Sequence, residues 1–349
     1  MPLEDLARGM PVDIARINRG LKQIFEQEGE VLTKASLVNF AVYSEAPDAL
    51  SFNSRLMSGV TQDNACRVIL LAANPASSHR RVQAWISAHC HVSRAGSKQV
   101  CSEQIAFLLE GVDQATIQSI LFSNLDSDLP LYLWWQGQFP AQAPSQLWTW
   151  VDRLFFDSQS WREPATQMQT LRQAIRARRS RLVLCDLNWR RLFYLRVALA
   201  LSFDHPWAWE KLSNVEKVTI TYDPEYWTAA VLLMAWLARQ LGWSLRESSG
   251  DRYTFTAAEQ SGNIEIELSA LPGPWVSRVQ VQAADSSYFQ LVWKGDFLVS
   301  SLSDHPEVRQ LSPAGGTSLE SVVREELSRG GEHRTYDAAL QIAEQIWGS

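Results

Sequence analysis

Hydrophobic and polar positions change rhythm along this chain of 349 residues. Residues 12–27, "VDIARINRGLKQIFEQ", place Ile14, Ile17, Leu21 and Phe25 at helical spacing, which predicts an amphipathic helix. "ASLVNFAVYS" and "CRVILLAA" are apolar runs that predict buried strands. "RVQAWISAHCHV" alternates, with Val82, Ala84, Ile86, Ala88 and Cys90 on one face. "VCSEQIAFLLEG" fits a strand with Val100, Ser102, Gln104, Ala106 and Leu108 on one face, or else a helix. "DQATIQSILFSNL" predicts a helix with Ile117, Ile120 and Leu121 on its apolar side. "LPLYLWW" is a near-continuous apolar strand. Neighbouring side chains of a strand leave opposite faces, so Trp134 and Trp135 cannot share one core. Helices on both sides of a sheet would cover one indole each. Alternatively Trp135, beside the Gly137 loop, stays partly open for a partner. "PSQLWTWVDRLFFDS" predicts a helix running into a short strand.

The second half starts from a basic helix, "TQMQTLRQAIRARRSR", then a strand, "LVLCDL", and a long apolar helix, "NWRRLFYLRVALALSF". "KVTITYD" predicts a strand. Asp223 and Pro224 suit the N-cap and first turn of a helix from Glu225 to Leu241. That helix is apolar nearly all round, so it belongs deep in a core. Gly242 is its C-terminal stop. From residue 252 the period becomes two. "RYTFTA", "NIEIELSA", "RVQVQAA", "YFQLVW" and "DFLVSS" alternate, and "SGN" and "KGD" mark hairpins, which predicts an antiparallel meander with one wet face. Two helices follow, "SLESVVREELSR" and "TYDAALQIAEQIW", the latter with Ala339, Ile342, Ala343 and Ile346 inward. The expected fold class is α/β. An N-terminal mixed-sheet α/β domain over 1–164 precedes an α+β domain over 165–349 with an antiparallel strand meander and C-terminal helices.

Composition narrows the functional classes. Hydrophobic residues make up 46% and charged residues 20%, the balance of a packed globular chain. A net charge of −6 argues against nucleic-acid binding through overall charge. Fifteen Trp residues imply large aromatic cores or surfaces that another molecule covers. No apolar run approaches the roughly 20 residues of a membrane helix; the longest, Trp227 to Ala238, is too short. "MPLEDLARGM" has no signal-peptide apolar region. Four Cys do not make a disulfide framework in so long a chain. A cytoplasmic location without membrane contact is expected.

The chemistry-bearing motifs are mostly missing. Phosphate loops, G-x-G-x-x-G, H-E-x-x-H, C-x-x-C and G-x-S-x-G are all absent. No catalytic residue, metal or cofactor is assigned. His79, His89, Cys90 and His91 lack further ligands and read as structural. Arg172, Arg176, Arg178, Arg179 and Arg181 form a solvated helix face or an acidic-partner patch. Asp186, Trp189, Arg190 and Arg191 follow a strand, as does the "WWQGQFP" segment with Trp134, Trp135, Gln136 and Gly137. Ligands of open α/β sheets often bind at such strand ends. Asp186 and its neighbours either cap a helix and pair among themselves or bind a sugar phosphate. Cys90 and Cys101 flank a turn-rich link and are the redox candidates.

The same segments carry a resemblance. "CSEQI" (101–105), "DLPLYLWW" (128–135), "DLNWRRL" (186–192) and "AWLARQLGW" (235–243) resemble, in order and spacing, the signature stretches of the glucose-6-phosphate dehydrogenase assembly protein family, called OpcA. The match runs over roughly residues 60 to 245. The resemblance implies a non-catalytic protein of cyanobacteria and actinobacteria that binds glucose-6-phosphate dehydrogenase and promotes its oligomeric assembly or activity. In cyanobacteria it also implies a redox link through thioredoxin. No Cys follows Cys185, so such a switch is not available to the C-terminal half of this chain. The alternative is a sugar-phosphate or nucleotide-binding enzyme using Asp186, Arg190 and Arg191.

Overall fold

Two sheets organise the chain, of nine and eight strands among the residues that the computed structural model describes, 9–27, 32–34, 36–92, 99–140, 145–177, 182–257 and 262–348. Two compact units surround them, built from interleaved segments. The first comprises Met1–Asp157, Gln169–Cys185 and Ser318–Gly331; the second comprises Ser158–Met168, Asp186–Thr317 and Glu332–Ser349.

The first sheet holds β1 (Met10–Val12), β2 (Leu32–Lys34), β3 (Asn39–Ser44), β4 (Arg67–Asn74), β5 (Arg81–Val92), β6 (Gln99–Glu110), β7 (Leu131–Trp135), β8 (Val151–Phe156) and β9 (Val183–Asp186). Their order is β1-β5-β6-β4-β3-β7-β8-β9, with β2 on β6. From β6 through β8 the pairing is parallel, and β5 is antiparallel to β6. This settles "VCSEQIAFLLEG" as a strand. Parallel strands need crossovers, and helices Ala49–Val60, Gln114–Ser123 and Ser145–Trp150 lie in the three connections β3 to β4, β6 to β7 and β7 to β8. Strands covered on both faces need apolar residues throughout. β3 is accordingly buried at every position, and β4 up to its last residue, Asn74. Setting aside the antiparallel β5, the order β6-β4-β3-β7-β8-β9 repeats the 3-2-1-4-5-6 order of a doubly wound sheet.

Helix Leu319–Leu327, late in the chain, returns to this first unit and packs on helix Ala49–Val60. Gly59 leaves space that the Glu320 carboxylate occupies, 2.1 Å from where a Cβ would stand. Ser328 Oγ donates to Asn64 Oδ1 at 2.9 Å, and Arg324 lies 3.7 Å from Asp63. Glu326 lies 3.5 Å from the buried Arg153, whose Nη1 also donates to the Arg329 carbonyl at 2.7 Å.

The second sheet holds β10 (Val215–Tyr222), β11 (Trp243–Ser249), β12 (Arg252–Ala257), β13 (Asn263–Ala270), β14 (Val276–Ala283), β15 (Tyr288–Lys294), β16 (Phe297–Leu302) and β17 (Arg309–Pro313). The alternation expected from residue 252 is present, as in the burial of Ile264, Ile266 and Leu268 along β13. The meander is interrupted, however. β10 lies between β13 and β14, parallel to the first and antiparallel to the second. Helix Trp227–Gln240 is buried from Thr228 to Ala238 and packs on helix Arg334–Trp347. Asp223 caps its entry, accepting from the Glu225 amide at 3.0 Å. The expected helix "NWRRLFYLRVALALSF" breaks at Leu192 into Leu187–Arg191 and Phe193–Ser202.

Candidate functional site

β3 and β7 are parallel neighbours whose onward connections diverge, β3 to β4 on one side and β7 to β8 on the other. A crevice opens at the carboxyl ends of such a pair. Here it is a cleft of about 530 Å³, lined by Tyr43, Glu45, Asp48, Phe52, Gln136 and Gly137 among others. Its walls are held by specific bonds. The Gln136 amide N–H donates to the Tyr43 carbonyl at 2.9 Å, extending the β3–β7 ladder. The side-chain amides of Asn53 and Gln136 pair reciprocally, at 3.0 and 2.7 Å. The Tyr43 hydroxyl donates to Glu45 Oε1 at 2.6 Å. Burial first, and then Glu45, push the Tyr43 pKa up, so the phenol keeps its proton.

The floor of this cleft answers the question posed by the paired tryptophans. Trp134 and Trp135 are each 2% exposed. Trp135 stacks on Tyr43 with centroids 4.1 Å apart and meets Phe139 and Trp148 at 5.9 and 6.0 Å. Its Nε1–H donates to the Gln138 carbonyl at 3.0 Å. Gly137, at φ +96°, turns the chain so that Phe139 folds back over the indole. The reading of Trp135 as a partly open contact is therefore corrected. Gln136 is half-buried and Gly137 exposed, and both line the cleft above the buried Trp135.

Asp186, Trp189, Arg190 and Arg191 form an internal arrangement in the second unit. Asp186 is 2% exposed and caps helix Leu187–Arg191 through the Asn188 amide, at 3.0 Å. It also accepts from Ser158 N and Oγ at 3.1 and 2.7 Å and from the Tyr336 hydroxyl at 3.0 Å. Four donors satisfy a buried carboxylate without any ligand. Trp189 is buried, with the Arg196 guanidinium 3.4 Å from its ring centroid. Arg190 lies 4.3 Å over Phe193, and Arg191 lies 5.8 Å over Trp275. Asp186 is thus a helix cap whose further donors come from Ser158 and Tyr336.

Arg172 is half-buried and Arg176 exposed on helix Pro164–Ala177. Arg178, Arg179 and Arg181 lie outside the described residues. Cys90 and Cys101 face each other across β5 and β6 and are joined in a disulfide. Cys66 and Cys185 are buried free thiols. Burial pushes Cys66 up to about 12 and raises Cys185 well above the ordinary thiol range, so both stay protonated and unreactive at neutral pH.

His89 belongs to a polar network rather than a metal site. Its Nε2 lies 3.0 Å from the Gln104 side-chain oxygen, and the Gln104 amide donates to Ser54 and Ser87 at 2.9 and 3.2 Å. Burial, above all, lowers the His89 pKa from 6.5. In the unfolded chain it protonates near the ordinary value of about 6.5. Below that pH the unfolded state binds more protons, so stability falls as pH falls toward the lower folded pKa. The drop in unfolding free energy between pH 7 and 5 is expected to be smaller in His89→Gln than in the parent. Equal drops would remove His89 from the account.

Sequence reading missed the Glu45, Asp48 and Phe52 walls of the cleft. These lie in a turn and a helix start, and no motif flags them. Comparison with known proteins places the chain as follows. Two family models match it, those of the N-terminal and the C-terminal domain of a glucose-6-phosphate dehydrogenase subunit. The first covers residues 58–173 and the second residues 183–340. A protein of Nostoc punctiforme named as an OxPP cycle protein OpcA is 28% identical over 237 residues, covering 64% of this chain and 49% of that one. Its namesake in Synechocystis sp. is 26% identical over 269 residues, covering 73% and 54%. The chain thus spans about half the length of the curated relatives it matches. Among solved structures, a dehydrogenase from Chromobacterium violaceum is similar at a TM-score of 0.47 and 12% identity, over 90% of this chain and 94% of that one. A likeness of that depth transfers no chemistry.

Proposed function

This chain belongs to the glucose-6-phosphate dehydrogenase assembly protein (OpcA) family, and we propose from that premise that it binds glucose-6-phosphate dehydrogenase and promotes its active oligomeric state. On this reading it supports the oxidative pentose phosphate cycle in the cytoplasm and catalyses no reaction itself. The observation that carries the reading is the tandem match of both family domains, over 58–173 and 183–340. The internal bonding of Asp186 weighs against the alternative, a sugar-phosphate enzyme built on Asp186, Arg190 and Arg191. Among the described residues no helix is long and apolar enough to cross a membrane. A mixing assay tests the reading. Stoichiometric protein is expected to raise dehydrogenase activity and shift its mass, with no turnover alone. Turnover of a sugar phosphate by the isolated chain, or no effect on the dehydrogenase, would sink it.

Two finer contacts belong to this proposal. The basic segment that carries Arg172, Arg176, Arg178, Arg179 and Arg181 steers the protein to an acidic face of the dehydrogenase. Exposed charges are screened beyond about 8–10 Å at physiological salt. Replacing Arg172, Arg176 and Arg179 by glutamine is expected to slow association and flatten its salt dependence without lowering the melting temperature. An unchanged on-rate makes the run an ordinary solvated stretch. The Cys90–Cys101 disulfide is the redox-sensitive element, with thioredoxin as its reductant. Stimulation of the dehydrogenase that is identical for the oxidised protein, the reduced protein and Cys90→Ser would make the bond purely structural.

A further inference from the structure

The cleft between β3 and β7 occupies the position where a doubly wound sheet receives its ligand. A dinucleotide there needs a glycine-rich turn and a helix N-terminus whose free N–H groups meet the pyrophosphate. The turn in this chain reads Ser44-Glu45-Ala46-Pro47-Asp48 and contains no glycine. Pro47 brings no N–H. Glu45 and Asp48 place two carboxylates at the start of helix Ala49–Val60, where a phosphate would lie. That is repulsive to any nucleotide and attractive to a cation.

Both carboxylates are exposed, and neither has a cationic partner among the described residues. Asp48 stands at the N-cap position, yet its side chain makes no capping hydrogen bond. Glu45 accepts from the Tyr43 hydroxyl, which fixes its direction. Phe52, 40% exposed, adds an aromatic face at the rim, and such faces attract guanidinium and ammonium groups. Tyr43 stacked on Trp135 and the Asn53–Gln136 amide pair make the walls stiff before any partner arrives. A stiff site loses little conformational entropy on binding. Beside Gly137 a Cβ would meet nothing within 4 Å, so the mouth is open to a segment from outside.

We propose that this cleft seats a basic side chain, an arginine or lysine presented by the dehydrogenase, in the place where related sheets hold a nucleotide. The inference rests on the dehydrogenase being the partner. Charge complementarity selects the occupant: two exposed carboxylates without a cationic partner among the described residues, with an aromatic rim, favour a cationic side chain, and the cleft of about 530 Å³ has room for its stem.

The test titrates the dehydrogenase with the whole chain by calorimetry. The Glu45→Gln/Asp48→Asn variant is expected to bind about tenfold more weakly than the parent and with a flatter salt dependence. Its melting temperature is expected to stay with the parent's. Should it melt lower, Asp48→Lys decides alone, because that side chain is exposed and makes no cap bond; it is expected to weaken binding further through like-charge repulsion. Variants that bind like a binding parent overturn the cleft and leave the assembly role standing. A parent that does not bind removes both. A parallel titration with NADP+ is expected to show no saturable binding; saturable binding that Glu45→Gln/Asp48→Asn strengthens makes the cleft a nucleotide site and overturns the inference.

Discussion

Replacing Trp135 by alanine is expected to lower folding stability by about 3–5 kcal/mol. That is a large share of the typical margin of about 5–15 kcal/mol. The indole lies against Tyr43, Phe139 and Trp148, so its removal leaves a hole that three rings line. The Gln138 carbonyl also loses its donor. Trp135→Phe keeps most of the ring contact and is expected to cost less. An exposed interface tryptophan behaves differently: its loss costs about 2 kcal/mol or more of binding and leaves the fold intact. Denaturant midpoints with constant slope separate the cases. An alanine variant that unfolds with the parent would take the indole out of the core.

A second large effect is expected at the base of the first sheet. Arg67 and Glu103, both buried, form an ion pair, and Arg67 Nε donates to the Asn124 carbonyl at 2.7 Å. Removing one member of a buried pair strands the other charge, at a cost of about 3–5 kcal/mol. Glu103→Ala is expected to fall in that range. The double change Arg67→Met/Glu103→Leu is expected to recover most of the loss, since two apolar chains need no counter-charge. Stability of the double variant no better than that of Glu103→Ala would show that the pair contributes through its hydrogen bonds to neighbours rather than through mutual compensation.

Much of this architecture is legible in local patterns. Alternation marks the strands from residue 252, because their burial follows the period of two that a half-covered sheet imposes. Asp223 and Pro224 mark the entry to helix Trp227–Gln240 because capping is a local event. Pairing partners are not local. Nothing in "KVTITYD" says that β10 will separate β13 from β14. Helix Ala49–Val60 is not legible in the pattern for another reason. Its buried face includes Asn53, Ser54 and Gly59, chosen for hydrogen bonds and close approach, so its apolar stripe is thin.

The candidate site was partly legible for the same reason. Gln136 and Gly137 follow an apolar strand, the position where open sheets receive ligands, and they line the cleft. The indoles before them were harder to place. Whether Trp135 faces solvent depends on Phe139 folding back through Gly137, a contact between positions that periodicity does not link. Asp186 beside Arg190 and Arg191 has the composition of an anion site, yet its donors come from Ser158 and Tyr336, distant in sequence.

The return of helix Leu319–Leu327 to the first unit has a consequence for biosynthesis. A ribosome releases the amino-terminal sheet long before it makes Glu326, and until then Arg153 has no carboxylate from that helix beside it. The segment that lies over helix Ala49–Val60 is likewise missing while the whole second sheet is being made. Domains that form early during synthesis do so from contiguous chain. Here the first-made sheet must wait, incompletely clothed, for residues that emerge far later. A nascent chain stalled before Ser318 should therefore be held by chaperones or proteolysed at its amino-terminal half, and a premature stop at that point would damage the early part of the protein as much as the part it removes.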